Sequence, residues 1–166
     1  DFEAALDERV GLLDGMSTDM LAEAWKTVEY TGGAKTLVAT MKANGAFAAL
    51  VSGGFDFFTA AVRKELGFDF DQANVLMTKD GKLTGKVQKP VLDRQAKVDA
   101  LENLTEEHGM TVDDAMAVGD GANDLQMISL AGTGVAFHAK PSVREQARIC
   151  INHGDLTALL YLQGYR

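Results

Sequence analysis

The polar residues best suited to chemistry lie together in one segment, Val118-Gly119-Asp120-Gly121-Ala122-Asn123-Asp124. Asp120 directly follows a short apolar run that predicts a buried strand, so its carboxylate should project from the strand's end. Asp124 comes one helical turn later and should lie near Asp120. Two carboxylates at one point repel unless a cation lies between them, and hard oxygen ligands suit Mg²⁺. The segment therefore predicts a magnesium site, the alternative being that Asp120 and Asn123 are only turn and cap residues.

A second group with chemical potential is Ser52-Gly53-Gly54, which follows the apolar run 46–51. A hydroxyl and backbone N–H groups at the start of a helix form a site for an anion such as phosphate. The amide of Asn123 can likewise offer a hydrogen bond to a phosphate or another substrate group. The alternative for residues 52–54 is an ordinary glycine-rich turn between a strand and a helix.

Strands that alternate with helices must position these residues. The run 46–51 is continuously apolar and predicts a strand buried on both faces, and shorter strands are predicted near 115–118, 134–137 and 149–151. Such an alternation predicts an α/β fold with a three-layer, doubly wound parallel sheet of the Rossmann type. Ligands bind beyond the carboxyl ends of such strands, which here are followed by residues 52–54, 119–124 and 138–140.

Two segments depart from this alternation. Apolar residues recur at helical spacing near the amino terminus and predict two helices that form a first unit, residues 1–29, ahead of a core at 30–166. Between about 74 and 87, two short strands flank Asp80-Gly81, which predicts a β-hairpin inserted into the core.

Composition limits the classes of partner. The formal net charge is −8 and the sequence pI is near 4.8, so we expect no general attraction to nucleic acid or to an anionic membrane surface. No apolar stretch approaches the roughly 20 residues of a transmembrane helix. Cys150 is the sole cysteine and lies in an apolar run, so it is predicted to be buried. A chain without an intrachain disulfide fits a reducing cytoplasm.

The order of these motifs resembles that of a known family. By residue type alone, Lys97 in the middle of a predicted helix is typical of a solvated surface residue. However, the succession 52–54, Lys97, 119–124 resembles motifs II, III and IV of the haloacid dehalogenase phosphatases. The fuller strings resemble the phosphoserine phosphatase family in particular; they are Val51-Ser-Gly-Gly-Phe-Asp56, Asp80-Gly-Lys-Leu-Thr-Gly85, Ala117-Val-Gly-Asp-Gly-Ala-Asn-Asp124 and Ala139-Lys140-Pro141.

The resemblance implies roles in phosphate binding. Ser52 and the backbone N–H of Gly53 would bind the transferring phosphoryl group. Lys97 would hold the phosphate and the nucleophile, so that Ser52 and Lys97 are the catalytic residues of this chain. Asn123 would contact the phosphate side of the substrate.

The same resemblance implies a metal and a substrate-recognition helix. Asp120 would be a Mg²⁺ ligand, and Asp124 would support the metal. Residues 1–29 would be part of a helical cap. In that cap Phe2 and Arg9 would contact the amino-acid part of the substrate, with Arg9 as the partner of its carboxylate.

The activity implied is hydrolysis of a small molecule, O-phospho-L-serine, to L-serine and phosphate through an aspartyl-phosphate, the last step of serine biosynthesis. The family's motif I, Asp-x-Asp, should supply the nucleophile and is not found. Asp69-Phe70-Asp71 has its spacing, but it follows a predicted helix end and is rejected. We therefore expect the sequence to be truncated before motif I and inactive alone. The alternatives are a phosphatase or phosphotransferase for another small phosphomonoester, and a non-catalytic module that binds a phosphorylated ligand. A homodimer also stays open.

Overall fold

A computed structural model describes residues 2–165. The chain divides into two compact units, Asp1–Leu92 and Asp93–Arg166. Helices and strands alternate in both units, and the named strands pair in parallel except in one hairpin, which confirms the predicted α/β class. Within the described residues, no helix combines the length and the apolar character needed to cross a membrane.

The first unit begins with helices and ends with a hairpin. Its elements are α1 (Phe2–Gly11), α2 (Asp19–Trp25), α3 (Ala34–Ala43), β1 (Ala49–Phe55), α4 (Asp56–Leu66), β2 (Phe70–Asn74), β3 (Leu76–Lys79) and β4 (Lys82–Val87). The predicted cap, residues 1–29, lies in this unit, and its separation as a domain stays a prediction.

Helix α1 packs on the hairpin through the apolar residues that predicted the helix. Leu6 and Val10 are buried in one cluster with residues of both hairpin strands, among them Leu83 and Val87. Lys89 adds ion pairs to Glu3 at 2.6 Å and to Asp7 at 2.8 Å. The amphipathic face of α1 is thus covered by the hairpin, which fixes the helix within the first unit.

The hairpin turn is the predicted Asp80-Gly81. Both residues have positive φ, 50° and 74°, as a two-residue turn with the twist of the flanking strands requires. Strands β3 and β4 pair antiparallel, with Lys79 opposite Lys82. Aspartate and glycine tolerate the left-handed backbone, so the local sequence alone was sufficient to predict this turn.

Strand β1 differs from its prediction. It begins at Ala49 and continues through the glycines to Phe55, and its residues are half-buried or exposed rather than buried on both faces. Among the described residues, β1 pairs with a single neighbour, the parallel strand β2. Strand β2 was not predicted, because its sequence is polar and has no apolar run.

The second unit contains a three-stranded parallel sheet in the order β5-β6-β7. Its elements are α5 (Arg94–Glu107), a 3₁₀ turn (Val112–Asp114), β5 (Met116–Gly119), α6 (Leu125–Leu130), β6 (Thr133–Phe137), α7 (Pro141–Arg144), β7 (Ile149–Ile151) and α8 (Ala158–Leu162). The central strand β6 carries fully buried Val135 and Ala136. The parallel strands and helices predicted for this region are confirmed.

The prediction that Cys150 is buried is wrong, because its side chain is exposed. The residue lies on β7, which is the last strand of its sheet and pairs with β6 alone within the described chain. The flanking Ile149 and Ile151 are more shielded than Cys150. Alternation along a strand puts neighbouring side chains on opposite faces, and an apolar run does not reveal which face is covered.

Candidate active site

The acidic strand end of the second unit is built around Asp120. Strand β5 ends at Gly119, and Asp120 follows it with its side chain exposed, as predicted. No hydrogen bond or ion pair from the described residues reaches its carboxylate. Asp120 therefore presents a carboxyl group without a described partner at the carboxyl end of a parallel strand, where ligands of such sheets bind.

Asp124 is buried and fully bonded to the protein. Its Oδ1 accepts from the ammonium of Lys97 at 2.5 Å. Its Oδ2 accepts from the backbone N–H groups of Asp120 at 3.1 Å and Gly121 at 2.9 Å. The Lys97 and Asp124 side chains are 10% and 6% exposed. Such buried charges persist only when paired, so the two residues hold each other and the Asp120 backbone in place.

Glycine is required at position 119 because another side chain of the loop lies close to its backbone. A Cβ at Gly119 would overlap the side chain of Asp124. At Gly121, a Cβ would overlap the side-chain oxygen of Asn123, which is exposed and more able to move. The first glycine of the motif therefore gives Asp124 the space to fold back under its own loop.

Asn123 lies in the same loop, ahead of α6. The helix begins at Leu125, with Asp124 at the cap position and without a side-chain cap bond. Asn123 is exposed, and its amide is not used by a hydrogen bond from the described residues. Asn123 thus lies in the same loop as Asp120 with no described partner for its amide, and its contact with phosphate stays a prediction.

The loop after β6 joins the Asp120 loop. The backbone N–H of Lys140 donates to the carbonyl oxygen of Asp120 at 3.2 Å. His138 has a positive φ of 45°, and its ring stacks on Phe137 with centroids 4.1 Å apart. Two of the three strand-end loops predicted to form one ligand edge are therefore in direct contact.

The third loop, in the first unit, is the glycine-rich turn within β1. The backbone N–H of Gly54 donates to Ser52 Oγ at 3.0 Å. Ser52 is half-buried, and Gly54 is exposed. Residues 52–54 lie within β1 rather than at the start of the following helix, which begins at Asp56, so the anion site stays a prediction.

Helix α1 brings one of its two predicted substrate contacts to this turn. A Cβ at Gly53 would lie 3.7 Å from the tip of the Phe2 ring, so the ring closely approaches Gly53. Arg9 lies in the last turn of α1 with an exposed side chain. No described residue forms a hydrogen bond or ion pair with Arg9, which leaves its guanidinium available for a carboxylate.

The acid pair rejected as motif I is committed to structural contacts. Asp69 accepts from the backbone N–H of Ala48 at 2.9 Å and pairs with Lys42 at 2.7 Å. The backbone N–H of Ala48 and then Lys42 lower the pKa of Asp69. Asp71 accepts from Thr59 Oγ1 at 2.8 Å and pairs with Arg63 at 3.3 Å. These contacts support the rejection.

Sequence reasoning missed Asn74, a buried amide at the end of β2 that is 2% exposed. Its Nδ2 donates to the carbonyl oxygen of Gly53 at 3.0 Å, and its Oδ1 accepts from the backbone N–H of Leu92 at 2.7 Å. Asn74 would have been noticed as a polar residue at a strand's carboxyl end if β2 had been predicted.

The donors at Asp120 fit a magnesium ion. Mg²⁺ is usually bound by one or two carboxylates and completes its shell with water and phosphate oxygens. Asp120 supplies one unoccupied carboxylate, whereas both oxygens of Asp124 accept from protein donors. In residues 2–165 no group of three or more His, Cys, Asp or Glu side chains could hold a metal alone. A cation here would depend on water and ligand oxygens, which suits Mg²⁺.

The parallel α/β fold and its polar strand ends define a Rossmann-type protein with a glycine-rich segment at one strand end and an acidic loop at another. The model of the haloacid dehalogenase-like hydrolase family matches residues 2–129. A phosphoserine phosphatase of Methanocaldococcus jannaschii is 42% identical over 159 residues, which cover 96% of this chain and 75% of the relative. The chain therefore belongs to the haloacid dehalogenase-like hydrolase family, among the phosphoserine phosphatases.

Two further similarities agree with this assignment. A phosphoserine phosphatase of Streptomyces coelicolor is 44% identical over 164 residues, which cover 99% of this chain but only 40% of the relative. A solved structure described as a substrate-bound phosphoserine phosphatase complex matches with a TM-score of 0.91 and 42% identity, over 97% of this chain and 77% of that one. The structural match confirms the predicted fold class. The chain spans less than half the length of the Streptomyces relative.

Proposed function

We propose that the chain is the major part of a phosphoserine phosphatase, which hydrolyses O-phospho-L-serine to L-serine and phosphate in the last step of serine biosynthesis. The observation that carries the proposal is the buried Lys97–Asp124 pair beside the unoccupied carboxylate of Asp120. A relative described as a phosphoserine phosphatase matches 96% of the chain, and the similar solved complex is described as a substrate-bound phosphoserine phosphatase.

The second unit supplies the positive charge of Lys97 and the carboxylates that would hold a metal. Lys97 binds a phosphoryl oxygen, because its ammonium has two further N–H donors beyond the one given to Asp124. Asp120 and Asp124 are the metal residues, Asp120 directly and Asp124 by fixing the Asp120 backbone and Lys97. Bound Mg²⁺ neutralises negative charge on the phosphoryl oxygens. Asn123 donates its amide to the phosphate side of the substrate.

The first unit supplies neutral donors and substrate recognition. Ser52 and the Gly53 N–H bind phosphoryl oxygens, where aligned donors stabilise the charge that develops during transfer. Phe2 packs on the substrate beside Gly53, and Arg9 pairs with the substrate carboxylate.

The nucleophile is an aspartate of the family's motif I, which the printed sequence does not contain. Its carboxylate attacks phosphorus, the bond to the serine oxygen breaks, and that oxygen leaves with a proton donated by the second aspartate of motif I. Water then hydrolyses the aspartyl-phosphate. Asp69 and Asp71 do not take this role, since both carboxylates are engaged by cations and hydrogen-bond donors of the first unit.

Location and assembly follow as further parts of the proposal. A chain with one exposed cysteine suits the reducing cytoplasm, where thiols stay reduced. A homodimer is an additional proposal, which light scattering at micromolar concentration would test. A single species with the mass of one chain would reject it.

The first experiment measures phosphate release from O-phospho-L-serine with Mg²⁺. It compares residues 1–166 with the same residues preceded by a segment that carries motif I, called the extended protein below. We expect activity in the extended protein alone. Activity in neither would favour another phosphomonoester or a binding module, and activity in residues 1–166 would place the nucleophile inside this sequence.

Recognition of the serine part is tested by Arg9→Ala in the extended protein. We expect KM for phosphoserine to rise about tenfold to a hundredfold, because an exposed charged contact to the carboxylate is lost. Hydrolysis of p-nitrophenyl phosphate, which has no carboxylate, is the matched control. An equal effect on both substrates would remove Arg9 from substrate recognition.

A further inference from the structure

We propose that Asn74 is a positioning residue that orients the Ser52 hydroxyl for phosphate binding. The inference rests on the proposed function, because it assigns a task to the turn that function uses. Asn74 touches neither Ser52 nor a reacting atom by a described hydrogen bond; it acts through the Gly53 carbonyl.

The turn lies where β1 leaves regular pairing. From Val51 to Phe55 the strand advances four residues, whereas its partner β2 advances two, from Gln72 to Asn74. An irregularity of this kind takes backbone groups out of the ladder and re-aims side chains, and it is common next to active sites. Within such a segment, other contacts must set the direction of the peptide groups.

Asn74 provides one of those contacts and has a fixed orientation itself. Its amide nitrogen donates to the Gly53 carbonyl, and its amide oxygen accepts from the Leu92 N–H. Rotating the amide by 180° would place an acceptor against the carbonyl and a donor against the N–H. Because the side chain is 2% exposed, water cannot readily compensate for that loss.

The Gly53–Gly54 peptide transmits this orientation to Ser52. Its carbonyl is held by Asn74, and its N–H donates to Ser52 Oγ at 3.0 Å. A peptide group is planar, so fixing the carbonyl also fixes the direction of the N–H. That N–H occupies one acceptor position of the hydroxyl. The Ser52 proton is thereby left to point to another acceptor, which the proposed function identifies as a phosphoryl oxygen.

The test measures binding of inorganic phosphate with Mg²⁺ by calorimetry in the extended protein. The variant is Asn74→Leu, which has similar size and adds no charge that would itself repel phosphate. We expect phosphate affinity to fall about tenfold, the loss that one net hydrogen bond to an anion produces. Asn74→Ser, whose hydroxyl is too short to reach the carbonyl, is the second variant if the first does not fold.

The matched control is Thr59→Val in the same unit. Thr59 is also buried and also loses a side-chain hydrogen bond, to Asp71, but it has no described bond to the turn. It should lower the melting temperature and change phosphate affinity by less than about twofold, since general destabilisation does not move a binding constant of the folded state.

A double-mutant cycle with Ser52→Ala separates positioning from packing. If Asn74 acts through the hydroxyl, Asn74→Leu should weaken phosphate binding by less than about threefold once Ser52 is alanine. A full tenfold loss in that background would overturn the proposal, and so would unchanged affinity in Asn74→Leu alone. If the unchanged protein binds phosphate but does not hydrolyse phosphoserine, the proposed function fails and the cycle still decides the role of Asn74. If it binds no phosphate, both fail.

Discussion

Two pairs of aspartates, one in each unit, lie two and four positions apart in the sequence and have different surroundings. Asp69 and Asp71 are each engaged by a cation and by a hydrogen-bond donor within the first unit. In the second unit Asp124 is engaged in the same way by Lys97 and two N–H groups, but Asp120 is exposed and its carboxylate has no partner among residues 2–165. The two pairs therefore differ in one carboxylate, that of Asp120, which has no described hydrogen-bond or ion-pair partner.

The comparison teaches that neutralisation, and not spacing, separates a structural acid from a candidate ligand. A carboxylate that already accepts from a lysine and a backbone N–H has little to gain from a metal. The carboxylate of Asp120 would be stabilised by a bound cation, because the nearby described donors form their hydrogen bonds with Asp124 instead. The second pair thus contains one carboxylate that is held by protein donors and one that is open to a ligand.

The largest effect is expected for Asp120→Asn in the extended protein. It should lower kcat/KM about a thousandfold, roughly 4 kcal/mol, because the metal loses its charged protein ligand. Steady-state assays over a range of Mg²⁺ concentrations would measure it. Asp113→Asn, another exposed acid of this unit, is the control and should have near-normal activity. A loss below tenfold would mean that Asp120 is not the metal ligand.

Asp124→Asn should act on stability as well as activity. Removing one partner of a buried ion pair costs about 3 kcal/mol, the low end of the usual range, because asparagine still accepts from the two N–H groups. Urea unfolding would measure the change. The double variant Lys97→Met, Asp124→Leu should recover much of the stability and none of the activity. Wild-type stability in the single variant would contradict the buried pair.

Asp69→Asn should lower stability by about 1 kcal/mol at neutral pH and leave activity intact. The Ala48 N–H and Lys42 hold the pKa of Asp69 below its ordinary value of 3.8. Its stabilisation is therefore full above that value and is lost as the pH falls below it, when the unfolded chain takes up the proton first. Urea unfolding between pH 7 and pH 3 should show the two proteins converging. A constant difference would exclude the ionised carboxylate as the cause.

The smallest effect is expected for Asp71→Asn. The asparagine oxygen can still accept from Thr59, so only the half-exposed Arg63 pair is lost, at about 0.5 kcal/mol. Thermal unfolding in low and high salt would detect it, and the difference should shrink in high salt because exposed pairs are screened. Loss of phosphatase activity in the Asp71→Asn variant would indicate that Asp69-Phe70-Asp71 is motif I and that its rejection was wrong.

The position of Asp120 at a strand end could be predicted because the residues of the acidic loop are contiguous. A strand end, two acids and a glycine turn are local features, and the hairpin turn at Asp80-Gly81 was predictable for the same reason. The strand β2 was not predictable from periodicity, since its residues are polar and it is a strand only through pairing with β1. Asn74 was missed together with that strand.

The sequence by itself determined the α/β class, the order of the helices and of the strands other than β2, and the residue types at the strand ends, because these depend on local patterns of apolar, polar and glycine residues. Only the tertiary structure decided which charged side chains pair with each other. Lys97 has the sequence context of a surface lysine, yet it is buried because Asp124, 27 positions away, neutralises it. Pairing between distant residues follows from the packing of their helices and strands, so a local sequence pattern cannot predict it.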